Sequence, residues 1–475
     1  MSLEIRQCIL RRQCRRVVPN VASRGCGPCK RERSYLFGSC RPERAKFDWS
    51  VNDGGVRNAE SFFFPLDNRL RLGTEGYSPR LVQKAVRQAS KAGSFKDASD
   101  DLRELAEFEI SATHLQRLSE RIGQEWIEVR DEEVAAYQES KLPCAYAAAP
   151  KAAAVMLDGG RVQTREADSG RGVQDPGWQE VKVACCLSLS STACGSDPQP
   201  EPPTKFLEPT TAARLAMEVK SRGKPALGRK PAEPVAKRKK RKKKKRRIEK
   251  RVRTVVATMA DSDTFGWQMA AEVQRRGLDR AKRKACVCDG QKYNWTLFEL
   301  HLLPMGFLGI LDFLHLLAYL YDAAHALQGK DKAAGWTCYE QWLRWAWSGK
   351  VTTLLRSLRA GVAKLGERPA NAADDDPRKI LADTLGYVTN NQTRMDYPEY
   401  RRMGLPISSA PVESTIKQIN RRMKSTEKFW LEGGAEAMLQ LRAAYLSEDG
   451  RWDKYWSRPR KHRRAAGPAR LAQAA

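Results

Sequence analysis

Two short apolar runs that end in aspartate and glycine constrain this chain more than anything else in it. Ala152-Ala-Ala-Val-Met-Leu157 is closed by Asp158 and followed by Gly159-Gly160, and Ala285-Cys-Val-Cys288 is closed by Asp289 and Gly290. Apolar runs of this length bounded by turn residues read as buried strands. A third acid, Glu413, opens a basic helical segment, Val412-Glu413-Ser-Thr-Ile-Lys417. Two carboxylates at strand ends and one from a helix can share a pair of Mg²⁺ ions, the arrangement that phosphoryl transfer on DNA requires. Each acid also has a plainer reading. Asp158 and Asp289 can simply start turns, and Glu413 can complement a helix dipole.

Charge narrows the partner. The 475 residues carry 85 Lys and Arg against 56 Asp and Glu, a net charge of +29. Such an excess implies a polyanionic partner, most simply nucleic acid. Lys237–Arg251 alone contributes thirteen basic residues and one acid, which leaves +17 for the rest, so the basic character is general. That run cannot fold alone, because like charges repel and nothing apolar is buried. It either binds phosphates through Lys242, Lys243 and their neighbours without regard to sequence, or serves as a solubilising linker. The twelve cysteines are scattered and follow no signal-peptide pattern, so reduced thiols and a cytoplasmic, nucleoid-associated location are expected. Leu302–Tyr321 is mostly apolar but holds Pro304, Gly306, Gly309, Asp312 and His315. A buried strand running into a buried helix fits it better than a membrane span.

Along the chain, residues 1–60 are rich in Arg, Cys and Gly, and Cys26-Gly-Pro-Cys29 is a candidate zinc knuckle that lacks the second CxxC a zinc ribbon needs. Residues 61–140 hold three expected helices capped by Ser78-Pro79, Ser94 and Ser111. In the third, Leu115, Leu118, Ile122 and Trp126 form one stripe and leave His114, Arg117 and Arg121 outside. This is either a helix-turn-helix reader with its third helix in the major groove or a plain bundle with a basic face. Residues 141–330 read as strands at 152–158, 161–165 and 180–189, an exposed insertion at about 190–251, and a helix over about 252–276. A strand at 281–289, a helix from about Asn294, a strand at 307–312 and a helix at 315–327 follow. Residues 331–395 are helical, 396–445 carry Glu413, and 446–475 form a basic tail. Within the helical stretch, Trp336, Trp342, Trp345 and Trp347 either stack on exposed bases or pack helices together. Arg421, Arg422 and Lys424 follow Glu413 on its helix and suit phosphate contacts or a solvated face.

At this point the chain resembles bacterial insertion-sequence transposases of the DDE type, in the Kra-type group and distantly Mutator-like. The strings that carry the resemblance are Phe64-Pro-Leu-Asp67, Gly73-Thr-Glu-Gly-Tyr-Ser-Pro79, Asp158-Gly-Gly-Arg161, Trp178-Gln-Glu-Val-Lys182, Asp289-Gly290 with Trp295, and Leu311-Asp-Phe-Leu-His315. They continue with Asn390-Asn391, Arg394-Met-Asp-Tyr397, Val412-Glu-Ser414 and Thr426-Glu-Lys-Phe-Trp430. Their order spans roughly residues 62–450.

The resemblance implies an α/β fold. It would be an RNase H-like catalytic core, a mixed five-stranded sheet flanked by helices, with an all-helical insertion and an N-terminal helical DNA-binding region. It implies Asp158, Asp289 and Glu413 as catalytic residues and ligands of two Mg²⁺ or Mn²⁺ ions, with Asp158 bridging. Asp312-Phe-Leu-His315 is similar to the (C/D)xxH element of Mutator-like relatives, which supports the active site or engages DNA. A satisfied buried pair is the plainer reading of Asp312 and His315. The implied partners are double-stranded DNA, as transposon ends and target, and further copies of this chain on that DNA, with no membrane. The N-terminus departs from the family's two-knuckle cysteine ribbon. Two alternatives share the fold: an RNase H-like nuclease without strand transfer, and a catalytically inactive DNA-binding remnant.

Overall fold

The Ala152–Leu157 run becomes a buried strand, but one longer than its sequence suggests. In the computed structural model, β1 (Ala152–Thr164) continues through Gly159-Gly160 without a break. The separate strand expected at 161–165 is therefore its second half. The cause is its partner β2 (Gly177–Ser190), which pairs antiparallel along the whole length, from Ala152↔Leu189 to Thr164↔Gly177. Ladder hydrogen bonds on that side hold the glycine pair extended.

The structure describes residues 77–166, 177–220, 248–425 and 428–457. All of the described residues fall in one compact unit. Cys26, Cys29, Lys242 and Lys243 lie outside the described residues.

β3 (Glu249–Thr258) occupies the start of the segment read as a helix. The β-branched run Val252, Thr254, Val255, Val256 and Thr258 favours a pleated surface, and β3 pairs antiparallel with β2. The helix begins only at α1 (Ser262–Arg275), where Asp261 caps the Thr264 N–H at 2.7 Å. β4 (Arg283–Cys288) and β5 (Leu308–Leu311) then add parallel strands on the other side of β1. The sheet order is β3-β2-β1-β4-β5, a mixed five-stranded sheet flanked by helices in an α/β architecture.

Two adjacent cysteines on β2 report the two layers that cover the sheet. Cys185 Sγ contacts Thr415 Oγ1 at 3.2 Å on α2 (Ala410–Met423). Cys186 faces the other way, where burial and then the Glu272 charge on α1 push its thiol well up. Alternation along a strand requires that opposition. Among the described residues Cys144, Cys185, Cys186, Cys286, Cys288 and Cys338 are free thiols.

The three expected N-terminal helices are present as α3 (Pro79–Lys91), α4 (Phe95–Ala106) and α5 (Ala112–Gln138). Ser94 and Ser111 accept from the backbone N–H three residues on, whereas Ser78 makes no side-chain cap. α5 runs well past Trp126 and packs on α6 (Glu432–Leu446). The approach is so close that a Cβ on Gly123 would sit 2.5 Å from the Ala437 carbonyl oxygen. Arg130 seals the contact with a 2.6 Å ion pair to Glu436, which also accepts from Thr258 at 2.7 Å.

The segment expected as an exposed insertion from about residue 190 is in part packed against the fold. Residues 191–220 are described and include α7 (Pro209–Lys220). Phe206 is buried against Phe313 and Trp347, and Asp197 pairs with Arg401. After β5 the chain is helical, through α8 (Phe313–Gln328), α9 (Lys332–Trp347), α10 (Val351–Leu365) and α11 (Pro377–Asn391). The tryptophan tract packs these helices. Trp342 and Trp347 are buried, and their indole N–H groups donate to Ser357 and to the Gln199 carbonyl, each at 2.9 Å. No helix among the described residues is long and apolar enough to cross a membrane.

Candidate functional site

Strand register brings the aspartates into one row across the sheet. Met156 is paired with Val287 on β4, and two further residues set Asp158 level with Asp289. Cys288 is paired with Leu311 on β5, and one further residue sets Asp289 level with Asp312. The Asp312 N–H donates to the Cys288 carbonyl at 2.9 Å, which extends the ladder to that row. Neighbouring strands lie about 4.8 Å apart, so three acids stand in line, Asp289 and Asp312 just past the ends of β4 and β5 and Asp158 midway along β1, where its pairing with β4 stops. Asp158 shares side-chain parity with Met156 and Gly160, and a Cβ on Gly160 would lie 3.7 Å from Ile416 on α2. Asp158 therefore faces the helix that carries Glu413.

The turn after β4 fixes Asp289. Its Oδ1 accepts from the Gln291 N–H at 3.2 Å and from Asn294 Nδ2 at 2.9 Å, and Asn294 is buried. Gly290 has φ +91°, and a Cβ there would come 2.7 Å from the Tyr387 ring. Only glycine tolerates both demands. The Tyr387 hydroxyl on α11 donates to the Asp289 carbonyl at 2.8 Å, so a helix some hundred residues away braces this turn. Tyr387 stacks on the exposed Tyr319 with centroids 4.0 Å apart. Tyr293 approaches from the other side of β1, where its hydroxyl would lie 3.5 Å from a Cβ on Gly159. Burial, then the charges of Asp289, Glu180 and Asp158, push its phenol far up, so it remains a donor.

Asp312 joins β5 to α2. It is fully buried; Oδ1 accepts from the N–H groups of Leu314 (2.6 Å) and His315 (3.2 Å), which caps α8. Its Oδ2 accepts from the Ser409 N–H at 2.7 Å and from the Ser409 hydroxyl. Burial works against the charged form, but His315 and Ser409 outweigh it and hold the carboxyl below its ordinary range. His315 Nδ1 stands 3.5 Å from Asp312 Oδ2. One ligand atom each from Asp312, His315 and Glu413 lies within 4.8 Å of the others. Asp158 and Asp289 lie outside that group. Because the donors above already engage both Asp312 oxygens, this carboxylate is better suited to orient His315 and the start of α2 than to bind an ion.

The basic residues divide. Arg117 on α5 is exposed and Arg121 half-buried. Arg421 is exposed, and Lys424 lies over the Trp178 ring at 4.8 Å. Arg422 departs from the expected phosphate contact. It is buried, donates to the Ala89 carbonyl at 2.7 Å, and lies between Phe95 (4.3 Å) and Trp430 (5.1 Å). Burial, then the neighbouring Arg442 charge, pulls its guanidinium down to about 10. A helix repeat of 3.6 turns residue 422 inward while 421 stays at the surface.

Sequence reading missed Ser409, Asn294 and Tyr387. Asn294 alone had a local signal, a polar residue in the first turn after Asp289-Gly290. Ser409 and Tyr387 act across the fold, 97 and 98 positions from the groups they bind.

Fold and site thus define a mixed α/β protein with three aspartates level across β1, β4 and β5 where the parallel pairing ends. No protein-family model matches the chain, and no curated protein matches it.

Proposed function

We propose that the chain is a DDE-type DNA transposase, which binds insertion-sequence ends, cuts the DNA and joins the freed end to a target. On this reading the sheet is an RNase H-like core, α9 to α11 are its helical insertion, and α2 returns with the last acid. The observation that carries the proposal is the row Asp158, Asp289 and Asp312 across β1, β4 and β5 beneath the helix bearing Glu413. The ordered strings over residues 62–450 support it independently of geometry.

Asp158, Asp289 and Glu413 offer hard oxygen donors, a chemistry that fits Mg²⁺ or Mn²⁺ better than zinc. Such ions, when bound, supply an activated water and charge relief at the phosphate. The protein's share is positional. Asn294 and the Gln291 N–H orient Asp289, and Asp312 fixes the start of α2 through Ser409. Tyr293 keeps a neutral O–H beside the acids.

The test is a labelled duplex carrying the terminal repeats of the element, incubated with Mg²⁺ and target DNA. Nicked and joined products are expected, and Asp158→Asn or Glu413→Gln should abolish both while DNA binding survives. Near-normal cutting by either variant overturns the assignment. Nicks without joining identify a nuclease instead, and binding without any product by the unaltered protein identifies an inactive remnant.

A further inference from the structure

The far half of the β1–β2 ribbon, beyond the acids, carries a group of cations, with Glu180 opposite Arg161 as the acid across the ladder. Arg161 lies three residues after Asp158 and is exposed. Lys417 and Arg421 are exposed on α2 at helical spacing from Glu413, and Lys424 follows the helix end. Among the described residues Arg161, Arg421 and Lys424 form no ion pair. The two surfaces meet at Lys424, which follows the end of α2 and lies over the Trp178 ring of the ribbon. Burial, and to a lesser degree the Arg161 charge, pulls the Lys424 ammonium down, so the two cations are close enough to feel each other. An anion entering between them would relieve that repulsion.

Trp178 sits among these cations. It is opposite Gln163 on β1, has the Lys424 ammonium 4.8 Å from its ring centroid, and remains 38% exposed. A large indole left open to water beside unpaired cations answers no packing need, in contrast to the buried Trp342 and Trp347. At about 3.3 Å per strand residue, the five positions from Asp158 to Gln163 span roughly 16 Å, and their odd number sets the ring on the other side of the ribbon, so a strand reaching both would pass around its edge at Lys424.

We infer that Trp178, Lys424, Arg161 and Arg421 form a binding platform for single-stranded DNA, with an unpaired base stacked on the indole and its backbone phosphates on the cations. Paired bases hide their faces within the duplex, so stacking selects an unpaired nucleotide. The platform rests on the proposed function, since it supposes that DNA reaches Asp158.

The test is fluorescence anisotropy with a labelled oligonucleotide, single-stranded and as its duplex, on the full-length chain. Trp178→Ala should weaken single-strand binding roughly tenfold and leave duplex binding within about twofold, whereas Trp178→Phe should keep most of the affinity. Lys424→Gln should lower the single-strand salt slope by about 0.7, one phosphate contact. Single-strand affinity unchanged in Trp178→Ala and Lys424→Gln, or equal losses on both probes, overturns the platform and leaves the transposase reading standing. An unaltered protein that binds neither probe overturns the transposase reading itself.

Discussion

Replacing Asp312 should separate two structural duties of one carboxylate. Its Oδ1 caps α8 through Leu314 and His315, and its Oδ2 holds the backbone and hydroxyl of Ser409. Asparagine is a good cap, so Asp312→Asn preserves the first duty with its remaining oxygen. Its amide nitrogen then meets the Ser409 N–H, donor against donor, and leaves a buried group unsatisfied at about 1–3 kcal/mol. Asp312→Ala also loses the cap, worth about 1 kcal/mol more, and leaves both Ser409 donors unanswered, for a total of about 3–5 kcal/mol. Urea denaturation of both variants measures the two values. Ser409→Ala in the Asp312→Asn background should recover part of the loss, since it removes one unanswered donor. Because Ser409 precedes the first turn of α2, DNA cleavage should also fall in Asp312→Asn even where the protein remains folded. Equal stability losses for Asn and Ala, or full cleavage by the Asn variant, would refute this division of labour.

Other consequences can be checked in parallel. Tyr387→Phe removes one hydrogen bond to the Asp289 carbonyl, worth about 1 kcal/mol, and should lower cleavage several-fold while DNA affinity is unchanged. Arg422→Ala should destabilise the fold by about 2–4 kcal/mol, through a lost buried hydrogen bond and stacking between two rings, and leave the salt slope of DNA binding unaltered; a reduced slope would restore it as a phosphate contact. Acid should unfold the protein early. Burial opposes the charged forms of Glu272 and Asp449, but Arg451 and Arg275 outweigh it and hold both carboxyls low. A depressed carboxyl stabilises the fold above its unfolded value of about 4 and loses that contribution as pH falls. Thermal melts should therefore drop steeply below about pH 4, and Arg451→Met should flatten that slope.

Much of the architecture was legible because it is written locally. The Ala152–Leu157 and Ala285–Cys288 runs announce strands, and Ser94 and Ser111 announce helix starts within three residues of themselves. What stayed hidden depends on partners distant in sequence. β1 continues through Gly159-Gly160 only because β2 pairs with it, and Val252–Thr258 takes the β conformation in a sheet that the flanking basic run obscures. Arg422 shows the same limit. Its charge suggested solvent, but the Ala89 carbonyl and two aromatic rings were brought to it by α3 and α4. The acids themselves were visible; which of them stand level depended on strand register.

The contact at Gly123 bears on how any partner would be handled. Backbone against backbone, with Arg130 and Glu436 as a clasp, leaves no hinge between α5 and the layer over the sheet. A substrate gripped by the outward residues of α5 would be presented to the sheet's row of acids at a set distance and angle. Alignment would come from the scaffold, as in a jig, and not from a flexible tether searching for its target.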